Sequence, residues 1–449
     1  PAVGDLDGDG VMEVVVAGLR GGLYLFGSDG VLRAGFPVYQ EVARPTSPDV
    51  VLDEGFFSSP ALGDLDGDDD LEIVIGGMDQ QVYAWHHDGS DLSGWPVRLA
   101  FPGEEENGAR IISSPALGDL DQDGLPEVVI GTNELVGSSS AAVYALDGDG
   151  SALAGWPIVM FGLANDLLPF VGEGMPNSPA LADITGDGVP EVIINAIAGM
   201  TTIVAADGEQ LRGLPNAADG YGWASNANGA SNTGVIHSPA VGDLNGDGVP
   251  DIVNGGTGIN YLLAQQDDGF FQPLDHVLNA WDGATGDYLG GFPQVIEDLQ
   301  FFLNPSIADI DGDGRPEALA GTGGYLVHAW NADGEEPAGW PKFTGQWNVA
   351  TPAVGDVDGD GYLEVGLGTR GGWFWLWRTP SPAGATVEWA GFGHDAHNTS
   401  SYETPLVGYN SGYPLKDQEL GGQGKCGCGT GGGGGWIVLL PSLFLMRRR

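Results

Sequence analysis

An acidic nonapeptide returns seven times along this chain of 449 residues. It opens as Asp5-Leu-Asp7-Gly-Asp9-Gly-Val11-Met-Glu13 and closes as Asp356-Val-Asp358-Gly-Asp360-Gly-Tyr362-Leu-Glu364. Between them lie Asp64-Leu-Asp66-Gly-Asp68-Asp-Asp70-Leu-Glu72, Asp119-Leu-Asp121-Gln-Asp123-Gly-Leu125-Pro-Glu127 and Asp183-Ile-Thr185-Gly-Asp187-Gly-Val189-Pro-Glu191. Asp243-Leu-Asn245-Gly-Asp247-Gly-Val249-Pro-Asp251 and Asp309-Ile-Asp311-Gly-Asp313-Gly-Arg315-Pro-Glu317 complete the set. Side-chain oxygens at positions one, three and five of a tight turn converge on one point, which suits a hard cation taking six to eight oxygen ligands. The carboxylate at position nine closes such a shell. An EF-hand loop starts alike but carries its acid at position twelve and sits between helices. Empty loops would leave several carboxylates repelling one another, so the spacing predicts up to seven structural calcium ions.

The flanks decide the architecture. Pro-Ala-[Val/Leu]-Gly precedes the loop, as in Pro60-Ala-Leu-Gly63 and Pro352-Ala-Val-Gly355, and a β-branched run follows it, as in Glu72-Ile-Val-Ile75. These read as two strands joined by the turn. A third apolar run, such as Val82-Tyr-Ala-Trp85 or Val327-His-Ala-Trp330, ends in Asp-Gly, a hairpin signal. Gly-aromatic-Pro then marks an edge-like fourth strand at Gly35-Phe-Pro37, Gly94-Trp-Pro96, Gly155-Trp-Pro157, Gly291-Phe-Pro293 and Gly339-Trp-Pro341. Four strands recurring about every 60 residues, slightly above the ~40 to 50 of other propeller repeats, predict an all-β fold. The expected fold class is a seven-bladed β-propeller of four-stranded antiparallel blades with a calcium loop in each.

With these flanks, the loop resembles the FG-GAP or VCBS repeat of the integrin-alpha-like propeller superfamily, over roughly residues 1–392. The resemblance implies calcium held by the side chains at positions one, three, five and nine and by the carbonyl at position seven. In loop one these are Asp5, Asp7, Asp9, Glu13 and the Val11 carbonyl; the other carbonyls belong to Asp70, Leu125, Val189, Val249, Arg315 and Tyr362. Thr185 and Asn245 replace a carboxylate at position three, so loops four and five should bind more weakly. Asp69 stands where other loops have Gly, at a position expected to need positive φ.

Sixty-two acids against 15 Lys plus Arg give a formal charge of −47. Such a surface disfavours nucleic acid, whose binding relies on Lys and Arg displacing counterions, and suits an extracellular setting rich in calcium. The only cysteines, Cys426 and Cys428, precede five glycines, an apolar run from Trp436 to Met446, and Arg447 to Arg449. Eleven residues, interrupted by Pro441, cover about 16 Å, short of the ~30 Å hydrocarbon core. The tail resembles the MYXO-CTERM class of sorting signals, which implies processing or lipid attachment at Cys426 or Cys428 and display on a bacterial surface or outer membrane. An ordinary tail anchor is the alternative. The expected organisation is therefore a propeller over 1–392, an extension and Gly-rich linker over 393–425, and the signal over 426–449. Pro1 opens inside a repeat, so the chain reads as a fragment, with room upstream for a signal peptide, an eighth blade or a swapped closing strand.

His394 and His397 flank Asp395 in a segment that replaces Gly-aromatic-Pro after blade seven, and are expected to cap that blade rather than catalyse. His86, His87, His237 and His328 meet no nucleophile in a recognised motif. Trp85, Trp95, Trp156, Trp330 and Trp340 recur in phase, as packing residues do. Three insertions carry further aromatics: 38–58 with Phe56 and Phe57, 216–237 with Tyr221 and Trp223, and 257–277 with Tyr261, Phe270 and Phe271. These suit glycan or protein recognition, or loops folded over a propeller face. The preferred function is a non-enzymatic, calcium-stiffened surface module for adhesion or ligand binding. The alternatives are a lyase on a calcium propeller, for which 15 Lys plus Arg offer few bases, and a structural surface protein.

Overall fold

The computed structural model describes residues 1–40, 55–100, 109–134, 142–159, 173–195, 201–212, 232–233, 237–258, 276–298, 300 and 304–406. The tail with Cys426 and Cys428, and the aromatics Tyr221, Trp223, Tyr261, Phe270 and Phe271, lie outside them. The described residues contain strands and no helix. Each acidic loop joins the first and second strands of its own antiparallel sheet, and the alternating apolar residues of those strands give each sheet two apolar faces. Sheet one is Ala2–Gly4, Glu13–Ala17, Gly22–Phe26 and Val38–Tyr39, paired in chain order. Sheet two (Ala61–Gly63, Glu72–Gly76, Gln81–Trp85, Val97–Arg98) repeats it residue for residue: Gly4 faces Glu13 in one and Gly63 faces Glu72 in the other.

Sheets three and four follow the same plan, from Ala116–Gly118 to Ile158–Val159 and from Ala180–Ala182 to Gln210–Arg212. Sheet five, from Ala240–Gly242 to Gln294–Ile296, gains the short strand Asn232–Thr233. Sheet six, from Ser306–Ala308 to Lys342–Phe343, gains Val387–Trp389 beside its first strand. Sheet seven departs from the expected four strands. It has three, Ala353–Gly355, Tyr362–Gly368 and Phe374–Pro382, because the chain beyond Pro382 turns inward instead of forming an outer strand. The several four-stranded antiparallel sheets fit a β-propeller.

The first strands form the inner circle. A Cβ on Gly4 would lie 2.9 Å from Leu62 of the next sheet, on Gly63 2.9 Å from Leu117, and on Gly118 2.7 Å from Leu181. That close approach is why Pro-Ala-[Val/Leu]-Gly ends in glycine. Between neighbouring sheets lie apolar layers, for example Ala2, Val15 and Leu25 against Leu62, Ile73, Ile75, Tyr83 and Trp85. Trp85, Trp95, Trp156 and Trp330 are buried, and Phe56 packs edge-on against Tyr83 and Trp85.

Each first strand pairs with the second strand of its own sheet on one side, and residues 386–402 run along the other edge, bonding to it in sheets one to four, six and seven. Backbone N–H groups of Val3, Leu62, Leu117 and Leu181 donate to the carbonyls of Ala396 (2.7 Å), His397 (2.9 Å), Thr399 (2.8 Å) and Ser400 (2.8 Å). Asp309 N–H donates to Thr386, and Val354 N–H to Ala390. In sheet five the Cβ of Glu388 fills the space beside Gly242. Asn398 Nδ2 donates to the carbonyls of Pro1 and Pro60, both at 2.8 Å, and Asp395 accepts from Thr399 N and Oγ1. His394, Asn398 and Ser400 take positive φ to make this path. The expected cap is thus a hub whose bonds reach sheets one to four as well as six and seven.

Asn398→Ala should cost about 2–3 kcal/mol in denaturant unfolding, since it orphans the buried Pro60 carbonyl and the half-buried Pro1 carbonyl. Burial holds the His397 imidazole below its ordinary range, against the pull of Asp395. Its neutral form belongs to the folded state, so its contribution is present above pH 6.5 and is lost as pH falls. The stability advantage of the parent over His397→Gln should shrink between pH 7 and about pH 5.

Candidate metal centres in the acidic loops

Each loop is a cage of local hydrogen bonds. The position-one carboxylate accepts backbone N–H groups further along the turn: Asp243 Oδ1 takes Gly246 and Asp247, at 2.7 and 3.1 Å, and its Oδ2 takes Gly248 at 2.9 Å. In loops one, three, five, six and seven position three accepts the N–H of position five, as Asp7 does from Asp9, and position five accepts that of position seven, as Asp9 does from Val11 at 2.8 Å. The position-nine carboxylate reaches back to the N–H of position two in all seven loops, from 2.5 Å at Glu127 to 3.2 Å at Glu13. Glycines at positions four and six take positive φ, as Gly8 (67°) and Gly10 (84°) do. Asp69 matches the expectation at φ 72°, and Gln122 does the same at 65°.

These bonds bring the expected ligand atoms together. One ligand atom from each of Asp5, Asp7 and Glu13 lies within 4.8 Å of the others, and the trios Asp64-Asp66-Glu72, Asp119-Asp121-Glu127 and Asp309-Asp311-Glu317 are alike. Buried Asp5 Oδ1, Asp119 Oδ1 and Glu364 Oε1 have no hydrogen-bond partner. Burial pushes six of the position-nine carboxyls up, those of loops two to seven, helped by the neighbouring acids and opposed by the backbone bonds they accept. Glu72, Glu127 and Asp251 rise to about 7 and Glu317 to about 8, and Glu191 and Glu364 shift the same way. A crowd of acids with unpartnered oxygens is a donor set that fits a divalent cation.

The departures have structural consequences. Thr185 turns its hydroxyl onto Glu191 Oε1 at 3.0 Å, whereas Asn245 keeps its oxygen on the N–H of Asp247 at 2.8 Å. Sequence reasoning missed the groups that reach the ninth acid from the hairpin beyond strand three. Arg33 pairs with Glu13 at 2.7 Å, His86 contacts Glu72 at 3.0 Å, and Gly283 N–H donates to Asp251 at 3.2 Å. The signal available was position, because His86 and Gly283 lie just past the end of the third strand and Arg33 follows it across the Asp29-Gly30 turn. His87 sits 3.1 Å from Asp70, and His328 bridges Glu297 and Glu336 at 2.8 Å each while stacking on Trp330.

A family model described as an FG-GAP-like repeat matches residues 5–75, 64–130, 119–194 and 309–367, together more than half of the chain. No curated protein matches the chain by sequence. Among solved structures, the V. cholerae biofilm matrix protein Bap1 is similar at 12% identity, covering 87% of this chain and 78% of that one, with a TM-score of 0.36. The Pseudomonas aeruginosa PilY1 C-terminal domain is 17% identical over 82% of this chain and 78% of its own, with a TM-score of 0.42. The Bacillus licheniformis rhamnogalacturonan lyase PL11 is 15% identical over 81% and 80%, with a TM-score of 0.37.

Gln122 adopts a left-handed conformation that costs side-chain-bearing residues roughly 1–2 kcal/mol, while glycine returns part of that through the unfolded chain. Gln122→Gly should raise the unfolding free energy by up to roughly 1 kcal/mol, and Asp69→Gly by less, since Asp tolerates this region. A loss of stability in both, measured by urea titration, would contradict this account of the loops.

Proposed function

This chain belongs to the FG-GAP-like repeat family, and from that premise we propose that it is a calcium-binding β-propeller displayed outside the cell for adhesion or ligand binding rather than catalysis. Each of seven blades holds one calcium through positions one, three, five and nine of its loop and the carbonyl at position seven. The observation that carries this reading is the repetition of one cage in every sheet, with the ninth acid buried against the turn. Bound calcium replaces the protons that burial otherwise favours on these carboxyls. The metal is structural on this reading: it binds the folded turns and not the unfolded chain, and each site adds about 2.7 kcal/mol at a calcium concentration one hundred times its Kd.

Recognition belongs on the face opposite the metals. Second strands start at the acidic loops and end on that far face, where third strands begin, fourth strands end and first strands begin. Large aromatics gather at the same end, with Tyr39 61%, Phe57 47%, Tyr325 45%, Phe343 66% and Trp373 64% exposed. A repeat scaffold presenting exposed aromatics on one face suits glycan or protein capture. The expected ligand is a surface protein or glycan, with the membrane reached only through the C-terminal tail.

Calcium stoichiometry on the full chain, with thermal melts before and after chelation, tests the proposal. Near seven ions per chain and a large fall in Tm on chelation are expected, with loops four and five losing metal first. Few or no ions and an unchanged melt would sink it.

A further inference from the structure

The repeat assigns each residue of strands two and three to a seam. In sheet two, Ile73, Ile75, Tyr83 and Trp85 pack toward sheet one, while Val74, Val82 and Ala84 pack toward sheet three. Sheet three continues the rule, with Val128, Ile130, Tyr144 and Leu146 backward and Val129, Val143 and Ala145 forward. By the same register the backward set of sheet one is Val14, Val16, Tyr24 and Phe26. All four are only half-buried, although their counterparts in sheets two and three are buried. The forward set of sheet seven is Gly366, Phe374 and Leu376, and Phe374 and Leu376 are 53% and 43% exposed. Apolar layers join sheets one and two, two and three, three and four, four to six, and six and seven. Among the described residues none joins seven to one.

A second contact is missing at this place, as it is between sheets six and seven, where a Cβ on Gly339 would meet only Lys342 Nζ at 3.6 Å. Gly35, which opens Gly-Phe-Pro in sheet one, lies so close to the hairpin of sheet two that a Cβ would sit 1.8 Å from the Asp88 carbonyl. Gly94, Gly155 and Gly291 meet the hairpins at Asp149, Asp207 and Gly334 in the same way. Trp95 and Trp156 add Nε1 hydrogen bonds to the carbonyls of Gly148 and Ala206, just before those turns. The hairpin of sheet one is built for this contact, yet a Cβ on its Gly30 would meet nothing within 4 Å. The hub marks the gap too. It steps by one or two residues between sheets one and two, two and three, and three and four, but takes six, from Ala390 to Ala396, between seven and one.

We propose that the seam between sheets seven and one is the seat of an eighth sheet of this same repeat, whose fourth strand runs into the first strand of sheet one. Its Gly-aromatic-Pro lies against Asp29–Gly30, with an aromatic donor to the Ser28 carbonyl. Its forward face covers Val14, Val16, Tyr24 and Phe26, and its backward face covers Phe374 and Leu376. The order is the one in which the preceding sheets are already joined, and the occupant follows from the interface chemistry alone, independent of calcium.

The probe is this chain with a copy of its own residues 305–351, one complete repeat, placed so that the copied Thr351 precedes Pro1 as Thr351 precedes Pro352. Binding of an anilinonaphthalene dye to the exposed seam is expected to fall severalfold relative to the 449-residue chain. The double variant Phe374→Ser, Leu376→Ser, nearly neutral in the parent, is expected to lower the Tm of the extended protein at least about threefold more, because those side chains become buried there. Undiminished dye binding together with equal effects of the double variant in both proteins would overturn the proposal, whether the added repeat hangs free or fails to fold.

Discussion

The structure depends on what satisfies the inner edges of its sheets. A strand that pairs on one side leaves N–H and C=O groups on the other, and burying them unpaired costs free energy. Several such edges meeting around one axis cannot pair with each other, because they fan out. A single segment running past them can bond them in turn, and residues 386–402 do so through backbone carbonyls at sheets one to four, six and seven. Asn398, bonded to both Pro1 and Pro60, ties the start of the first sheet to the start of the second. The positive φ values at His394, Asn398 and Ser400 are the strain this path demands, and the dense bonding around Asp395 and Thr399 offsets it.

The hub also explains how sheet seven remains in place with three strands. Its first strand is held at the axis by Ala390, and its backward face packs on sheet six through Val365 and Trp377, with Trp340 edge-on to Trp377. It therefore needs no strand beyond Phe374–Pro382 to stay attached. The same chain that would have supplied an outer strand is what closes the centre.

Much of this was legible in the residues. The loops, the Asp-Gly hairpins and Gly-aromatic-Pro each encode a backbone requirement, so their spacing marks the sheet boundaries directly. Asp69 was readable as a left-handed position because six aligned loops carry glycine there; Gln122 passed unnoticed one loop on. The hub was visible only as an anomaly after sheet seven, since it acts through main-chain carbonyls that leave no side-chain pattern. Nor could sequence show that Val14, Val16, Tyr24 and Phe26 differ from their counterparts in sheet two. Their chemistry is the same, and only the neighbour is missing. Arg33 and His86 beside the ninth acids were hidden for a related reason: their contacts cross a hairpin, and spacing along the chain does not state which carboxylate a turn brings near.

The two ends of the strands thus carry different physics. At the acidic end the chain is short, glycine-punctuated and nearly identical from sheet to sheet, and neighbouring loops touch: Leu71 N–H donates to the Leu6 carbonyl at 3.0 Å, and the Gly8 turn approaches Asp70. Charge gathered this densely on adjoining turns repels across every seam. The acidic end is therefore where a divalent cation would have most to contribute. At the other end the hub and the buried layers already hold the sheets, so the connections between strands are free to lengthen and diverge. A scaffold that fixes one end by repetition can vary the other, and the exposed aromatics gather at the variable end.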